Sequence, residues 1–301
     1  MEQRIVRLLE EKGPLTGSEI LDGIRETNLL VWRTCRLSTN LRMRVLGARY
    51  LRLDRRVDGY ARLSPSILRE FMTYTVVGLP GAEDALDHRA DRIVQHLREV
   101  SNAKSDLARS MVGRLHDRLG EGWPRDERLC FILGGDIVYG MAHDVSRPEL
   151  STGELVNGSD IDLVVVAEDS IPDDFLEKLD RAIYQEKYLA LILPGVREEL
   201  DYVVKKMERV REQLCFDTFK RMVACKILQE GILLQGSRSL FEEIKSLLVE
   251  RGIVNRLNEM EIQAGDQRKQ AEEYLLHADP THILEGNLHL FYTGEETEEF
   301  E

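Results

Sequence analysis

One segment constrains this chain more than any other: residues 158–166 read GSDIDLVVV, so Asp160 and Asp162 lead into an unbroken apolar run. The apolar run predicts a buried strand, and side chains two residues apart on a strand lie on the same face. Asp160 and Asp162 are therefore predicted to bring two carboxylates to one place. Because neighbouring ionised carboxylates repel each other, the pair favours a bound hard divalent cation, Mg²⁺ or Mn²⁺.

A second segment supplies the complementary chemistry. Residues 129–133 read LCFIL and predict another buried strand, which ends at Gly134 and Gly135. Glycine lets backbone N–H groups approach a phosphate closely. A carboxylate pair beside such a turn predicts phosphoryl or nucleotidyl transfer.

The two segments together resemble a known signature. Residues 134–135, followed by Ser-Asp-Ile-Asp-Leu at 159–163, are similar to the DNA polymerase β-like nucleotidyltransferase superfamily, particularly its small bacterial members. That signature is a strand ending in Gly-Gly or Gly-Ser, a helix, and a strand carrying Asp-x-Asp. The resemblance spans roughly residues 126–245 and includes KILQEGILLQGSRSLFEEI at 226–244.

The resemblance implies a role for each carboxylate. Asp160 and Asp162 would hold metal ions between an NTP and an attacking hydroxyl, so that an NMP is transferred and pyrophosphate is released. Asp201, in EELDYVV, matches the third family carboxylate, which would complete the metal site and accept the proton of the nucleophile. The alternative for Asp201 is a strand-edge carboxylate paired with Lys205 or Lys206. The acceptor would be a protein, an RNA end or a small molecule.

The same resemblance implies the nucleotide-binding residues. Ser159 and the backbone of Gly134 and Gly135 would bind phosphate oxygens. Lys220 and Lys226, on a predicted helix, are candidates for the triphosphate, although either could equally lie on a solvated face.

Two features depart from the family pattern. Asp136 and Tyr139 stand where family members often have Ser and Arg, and residues 146–157 read as an inserted polar loop. An acidic Asp136 beside a triphosphate is unfavourable unless it points away or meets a cation. These departures support a competing hypothesis: a DNA-binding regulator whose catalytically silent nucleotidyltransferase fold senses nucleotide or docks a partner.

The N-terminal part has a pattern of its own. Helical periodicity at 2–12 and 29–37 flanks a helix capped by Thr16, and alternating segments around Asp58-Gly59 predict a β-hairpin. Three helices and a hairpin resemble a winged helix-turn-helix. Residues 1–72 hold 14 Lys/Arg against 9 Asp/Glu, whereas the whole chain has a net charge of −13. This part would either bind DNA phosphates or dock a protein; the candidate DNA contacts are Arg33, Arg36, Arg42, Arg44, Arg55 and Arg56.

The sequence therefore predicts an α+β protein of four segments: a winged helix-like domain (1–78), a long connecting helix (79–125), a nucleotidyltransferase domain with a mixed sheet flanked by helices (126–240), and C-terminal helices with an acidic tail (241–301). The apolar stripe of the long helix would pack on the catalytic domain or pair with its copy in a homodimer.

Composition sets the remaining expectations. Hydrophobic residues make up 43% and charged residues 32% of the chain, which is typical of globular proteins, and no apolar run approaches membrane-spanning length. The four cysteines are scattered without CxxC spacing, which favours reduced core residues and a cytoplasmic location.

Overall fold

The computed structural model describes residues 1–120, 128–149 and 152–293. The chain forms two compact units, Met1–His96 with Met260–Glu301 and Leu97–Glu259. Both contain helices and strands, so the expected mixture of α and β structure is confirmed, in the form of several small sheets. The units divide the chain differently from the four expected segments, because the C-terminal region 241–301 is shared between them.

The first unit contains helices and five short strands. Its first elements are α1 (Glu2–Lys12), β1 (Leu15–Thr16), α2 (Gly17–Gly23), α3 (Asn28–Leu37), β2 (Arg42–Val45), β3 (Tyr50–Leu53), β4 (Ala61–Ser64), α4 (Ile67–Tyr74) and β5 (Thr75–Gly78). Strand β5 pairs antiparallel with β1 on one side and β2 on the other, while β3 and β4 form a separate hairpin. The three helices and the hairpin expected from the sequence are therefore present; α4 and β5 were not expected.

Local sequence explains two of these elements. Thr16 and Glu19 form the expected capping box at the start of α2: the Thr16 hydroxyl accepts from the Glu19 N–H at 3.2 Å, and the Thr16 N–H donates to the Glu19 carboxylate at 2.7 Å. In the hairpin turn, Gly59 has φ +73°, a backbone conformation that residues other than glycine rarely adopt.

The C-terminal segment completes the core of the first unit. Helices α10 (Ile253–His277) and α11 (Pro280–His282) bring Leu275, Ile283 and Phe291 into the core that contains Trp32 of α3. The rings of Trp32 and Phe291 lie 5.4 Å apart, centroid to centroid, and tilted by 56°. Burying these large apolar side chains against Trp32 of α3 is favourable, which explains why the C-terminal segment is part of the first unit.

The second unit is built on a four-stranded sheet. Helix α5 (Glu83–Leu119) begins in the first unit, and its residues from Leu97 onward belong to the second. The further elements are β6 (Leu129–Leu133), β7 (Ser146–Pro148), β8 (Leu155–Asn157), β9 (Ile161–Ala167), α6 (Asp173–Ile192), β10 (Leu200–Lys206), α7 (Met207–Gln213), α8 (Phe219–Glu230), β11 (Ile232–Gly236) and α9 (Arg238–Glu250).

The sheet has the order β10-β9-β6-β11, in which only β10 and β9 are parallel. One face packs against α5 and α6 in the main core, to which β9 contributes Leu163 and Val165 and β10 contributes Leu200. Because strand side chains alternate, Asp162 and Asp201 belong to the opposite face. On that face Ile227 of α8 lies beside the end of β6. If residue 134 carried a Cβ atom, that atom would lie 3.2 Å from Cγ2 of Ile227.

Most elements predicted around the sheet are confirmed, with two differences. The helix that the family signature implies after the glycine pair is a single 3₁₀ turn, Gly135–Tyr139, because the chain turns into the left-handed region at Gly140, where φ is +66°. Residues 146–157, predicted as a polar loop, include the paired strands β7 and β8. The expected helix terminator at 120–127 and the acidic tail 293–301 lie almost entirely outside the described residues.

The long helix buries its apolar stripe within the chain. Leu86 and Ala90 pack in the first unit, while Met111 and Leu115 pack in the core of the second. This agrees with the packing alternative for that stripe.

Three cysteines are buried as expected, but Cys215 is exposed, because it follows α7 in a short connection at the surface. Within the described ranges, no helix combines the length and apolar character needed to cross a membrane.

Candidate functional site

The predicted carboxylates belong to neighbouring strands. Asp162 in β9 and Asp201 in β10 are directly opposite each other in the parallel pair. Asp160 immediately precedes β9, two residues before Asp162. Neighbouring strands lie about 4.8 Å apart, so the backbones of Asp162 and Asp201 are adjacent, and both residues belong to the sheet face opposite α5 and α6. The sequence alone could not give this register.

The glycine turn lies against the same aspartate. The Gly134 N–H donates to the Asp162 carbonyl at 2.9 Å, which extends the pairing of β6 and β9 beyond Leu133. Gly135 has φ +69°, and a Cβ there would lie 2.1 Å from Oδ2 of Asp162. Both the backbone conformation and the nearby carboxylate therefore require glycine at position 135.

Asp160 is held by an arginine from the β7–β8 hairpin. The Arg147 guanidinium forms an ion pair with Asp160 and a second with Glu199, at 2.8 Å, while its Nε donates to the Gly158 carbonyl at 2.8 Å. Burial raises the pKa of the Glu199 carboxyl, and Arg147 opposes that rise. Arg147 thus bridges carboxylates at the ends of β9 and β10.

Asp201 has a different partner from the two lysines considered for it. Its carboxylate pairs with Nζ of Lys187 of α6 at 2.9 Å. Lys205 instead donates to Gln213, and Lys206 pairs with Asp173. The alternative for Asp201, an ion pair at the edge of the sheet, is therefore correct, but the partner is Lys187 and not Lys205 or Lys206. Helix α6 brings Lys187 to the edge strand β10.

Glu230 occupies the glycine turn and engages Lys226. Its carboxylate accepts from the Gly135 N–H at 3.4 Å and from the Tyr139 hydroxyl at 2.8 Å, and it pairs with Lys226. Lys226 is buried and also reaches the Tyr139 hydroxyl at 3.2 Å. Lys220, at the start of α8, is exposed. A carboxylate of the chain itself thus lies among donors suited to an anion.

Buried Ser159 and half-buried Asp136 are joined by a hydrogen bond beside this turn. The Ser159 hydroxyl donates to Oδ2 of Asp136 at 3.0 Å, and its oxygen accepts from the His143 N–H at 3.2 Å. The Ser159 N–H donates to the His143 carbonyl at 3.0 Å. Ser159, predicted to bind phosphate, therefore has its hydroxyl hydrogen directed to Asp136.

The donor atoms of the candidate site are all carboxylate oxygens, the type that Mg²⁺ and Mn²⁺ prefer. As the side chains stand, however, no three His, Cys, Asp or Glu residues in the described parts of the chain are gathered closely enough to hold a metal ion. The ion pairs of Asp160 and Asp201 direct these carboxylates toward cations of the protein.

Two of the arginines predicted to contact DNA instead bind other residues of the first unit. Arg33 of α3 donates to the carbonyls of Leu276 and Ala278 at 2.9 and 2.8 Å, where α10 ends. Arg36 pairs with Glu272 at 3.7 Å. Cations at a helix C-terminus satisfy its last carbonyls, so this face of α3 contacts the C-terminal segment.

The other four arginines lie elsewhere in the first unit. Arg44 of β2 pairs with Asp87 at 2.8 Å, and Arg42 donates to the backbone carbonyls of Thr39 and Leu41. The remaining two are exposed in the turn of the β3–β4 hairpin: Arg55 and Arg56.

Sequence reasoning missed three residues of the site. Glu199 could have been found, because it lies two residues before Asp201 and strand periodicity puts both on one face. No local signal marks Arg147 or Glu230, which reach the aspartates and the glycine turn only after folding.

No protein-family model matches this chain, and no curated protein matches it either.

Proposed function

We propose that the second unit is a metal-dependent nucleotidyltransferase that transfers an NMP from an NTP to a hydroxyl acceptor and releases pyrophosphate. The observation that carries this proposal is the direct pairing of Asp201 with Asp162 in parallel strands, beside the Gly134-Gly135 turn. The Asp-x-Asp motif is present in the sequence, and the strand register brings Asp201 to the same sheet face as Asp162. A winged helix-like first unit accompanies this domain in the proposal.

The carboxylate oxygens of Asp160, Asp162 and Asp201 suit Mg²⁺ or Mn²⁺ by their chemistry. When bound, such an ion would neutralise phosphate charge and lower the pKa of the attacking hydroxyl. Asp201 is the most exposed of the three, at 53% of its side chain, so it is the carboxylate best placed to accept a proton from an incoming hydroxyl.

The Gly135 N–H, the Tyr139 hydroxyl and Lys226 are proposed to hold phosphate oxygens. These three donors now converge on the Glu230 carboxylate, which has the charge sign and oxygen chemistry of a phosphate. In the proposed complex Glu230 turns away, and Lys226 pairs with phosphate. The Ser159–Asp136 hydrogen bond keeps Asp136 directed toward a donor, which reduces its repulsion of a nearby anion.

A second function is favoured by the ion pairs themselves. Three carboxylates of the site are neutralised by cations of the same chain: Asp160 by Arg147, Asp201 by Lys187 and Glu230 by Lys226. Such a neutralised site is compatible with a regulator that senses nucleotide without turnover or docks a partner. Its DNA-binding form would rely on the arginines of the first unit other than Arg33, which contacts α10.

Calorimetric titration of each NTP with Ca²⁺, which suppresses turnover, tests the proposal. The wild-type chain is expected to bind at least one NTP, and D162N is expected to weaken binding at least tenfold. D106N is the matched control, because Asp106 lies in α5 in an exposed pair with Arg109. If no NTP binds, or if D162N and D106N bind alike, the nucleotide site is not at β9. Pyrophosphate release with Mg²⁺ then separates an enzyme from a sensor.

A further inference from the structure

We infer that Arg147 is a built-in cation that occupies the carboxylate site and excludes a divalent ion until the β7–β8 hairpin releases it. The inference rests on the proposed function and assigns that site a regulatory contact. It predicts that the chain controls its own metal affinity through one guanidinium.

The guanidinium is held by hydrogen bonds to two acceptors and by an ion pair with Asp160. Arg147 pairs with Asp160 and with Glu199, and its Nε donates to the Gly158 carbonyl. Its side chain is only 13% exposed. An arginine held by two carboxylates and a carbonyl has a defined position, unlike a solvated surface arginine.

That position conflicts with a metal ion. A cation bound by Oδ1 of Asp160 competes with Arg147, which contacts that oxygen, because two positive groups repel each other at such close range. Three acidic side chains at the ends of β9 and β10 form ion pairs with two cations: Asp160 and Glu199 with Arg147, and Asp201 with Lys187. Removing Arg147 would leave carboxylate repulsion that a divalent ion relieves.

The hairpin that carries Arg147 is suited to release. Strand β7 pairs with β8 over three residues and joins no other strand in the described parts of the chain. Strand β8 is anchored more firmly, since the Asn157 N–H donates to the Arg197 carbonyl at 2.9 Å and Val156 is buried. A two-stranded hairpin by itself is marginal in water, so side-chain contacts such as those of Arg147 with Gly158 and Glu199 help to hold β7 in place.

Calorimetric titration of Mn²⁺ into the full chain, without nucleotide, tests the inference. R147Q removes the charge and keeps a polar side chain, and it is expected to bind Mn²⁺ at least tenfold more tightly than the wild type. R147K keeps the positive charge but lacks the fixed fork of donors of a guanidinium, so its Mn²⁺ affinity should lie between those of the wild type and R147Q. R181Q is the matched control, because Arg181 forms an exposed pair with Glu177 in α6. D160N introduced into R147Q should abolish the gain.

Thermal unfolding gives a second readout. R147Q should have a lower Tm than the wild type without metal and gain more from Mn²⁺, because binding to the folded state stabilises it. Equal Mn²⁺ affinity in R147Q, R147K and wild type would overturn the inference. If R147Q does not fold, the Mn²⁺ affinity of R147K compared with that of the wild type tests the inference. Tighter Mn²⁺ binding by R147Q without NTP binding would support the inference and refute nucleotidyl transfer; NTP binding with unchanged Mn²⁺ affinity would do the reverse.

Discussion

Lys205 offers the most quantitative test of the second unit. It lies on β10, four residues beyond Asp201 and on the same sheet face, where it is buried and donates to Gln213 at 2.8 Å. Burial lowers the pKa of Lys205 from 10.5 to about 8, and Cys225 and Cys130 partly oppose the shift. We predict that K205M stabilises the folded chain at pH 7.

The magnitude follows from the shift in pKa. A shift from 10.5 to about 8 corresponds to about 3 kcal/mol of unfavourable charge burial at pH 7. Loss of the bond to Gln213 would cost about 1 kcal/mol, so K205M should gain about 2 kcal/mol. Between pH 8 and 10.5 the unfolded state binds more protons at Lys205 than the folded state does, so wild-type stability rises with pH there. The advantage of K205M should therefore disappear near pH 10.

Urea unfolding followed by circular dichroism at pH 7 and pH 10 measures this difference. K206M is the control: Lys206, one residue along β10, pairs with Asp173, whose side chain is 85% exposed, and its removal should change stability by less than about 1 kcal/mol. If K205M is less stable than wild type at pH 7, or if its advantage is the same at both pH values, burial of a charged Lys205 does not limit stability.

Two further predictions concern the glycine turn and the first unit. G135A should destabilise the chain by at least about 1–2 kcal/mol, because alanine is strained at φ +69° and its Cβ displaces the Asp162 carboxylate. Urea unfolding should show no such loss for G195A, where a Cβ meets nothing within 4 Å; equal losses would refute the argument. R33A should cost about 2 kcal/mol by removing two bonds to the end of α10, whereas R4A, which breaks an exposed pair with Glu26, should cost less than about 1 kcal/mol. Similar unfolding midpoints for R33A and R4A would show that Arg33 does not hold α10.

Local patterns predicted much of the secondary structure. The apolar run after Asp162 indicated β9, the Thr16 capping box indicated the start of α2, and a long apolar stripe indicated α5. Each signal lies within one element, where backbone sterics, capping and periodicity act over a few residues. The same locality explains one difference: the family signature implies a helix after the glycine pair, but the chain forms a 3₁₀ turn there and changes direction at Gly140.

The sequence by itself determined which residue types stand in the site: two aspartates at the start of a buried strand, and two glycines after another. Tertiary structure alone decided their neighbours. It set Asp201 opposite Asp162, brought Arg147 to Asp160 and Glu230 to the Gly135 N–H, and turned Arg33 toward the end of α10. These contacts join residues distant in the chain, so they depend on strand register and helix packing, which local sequence does not encode.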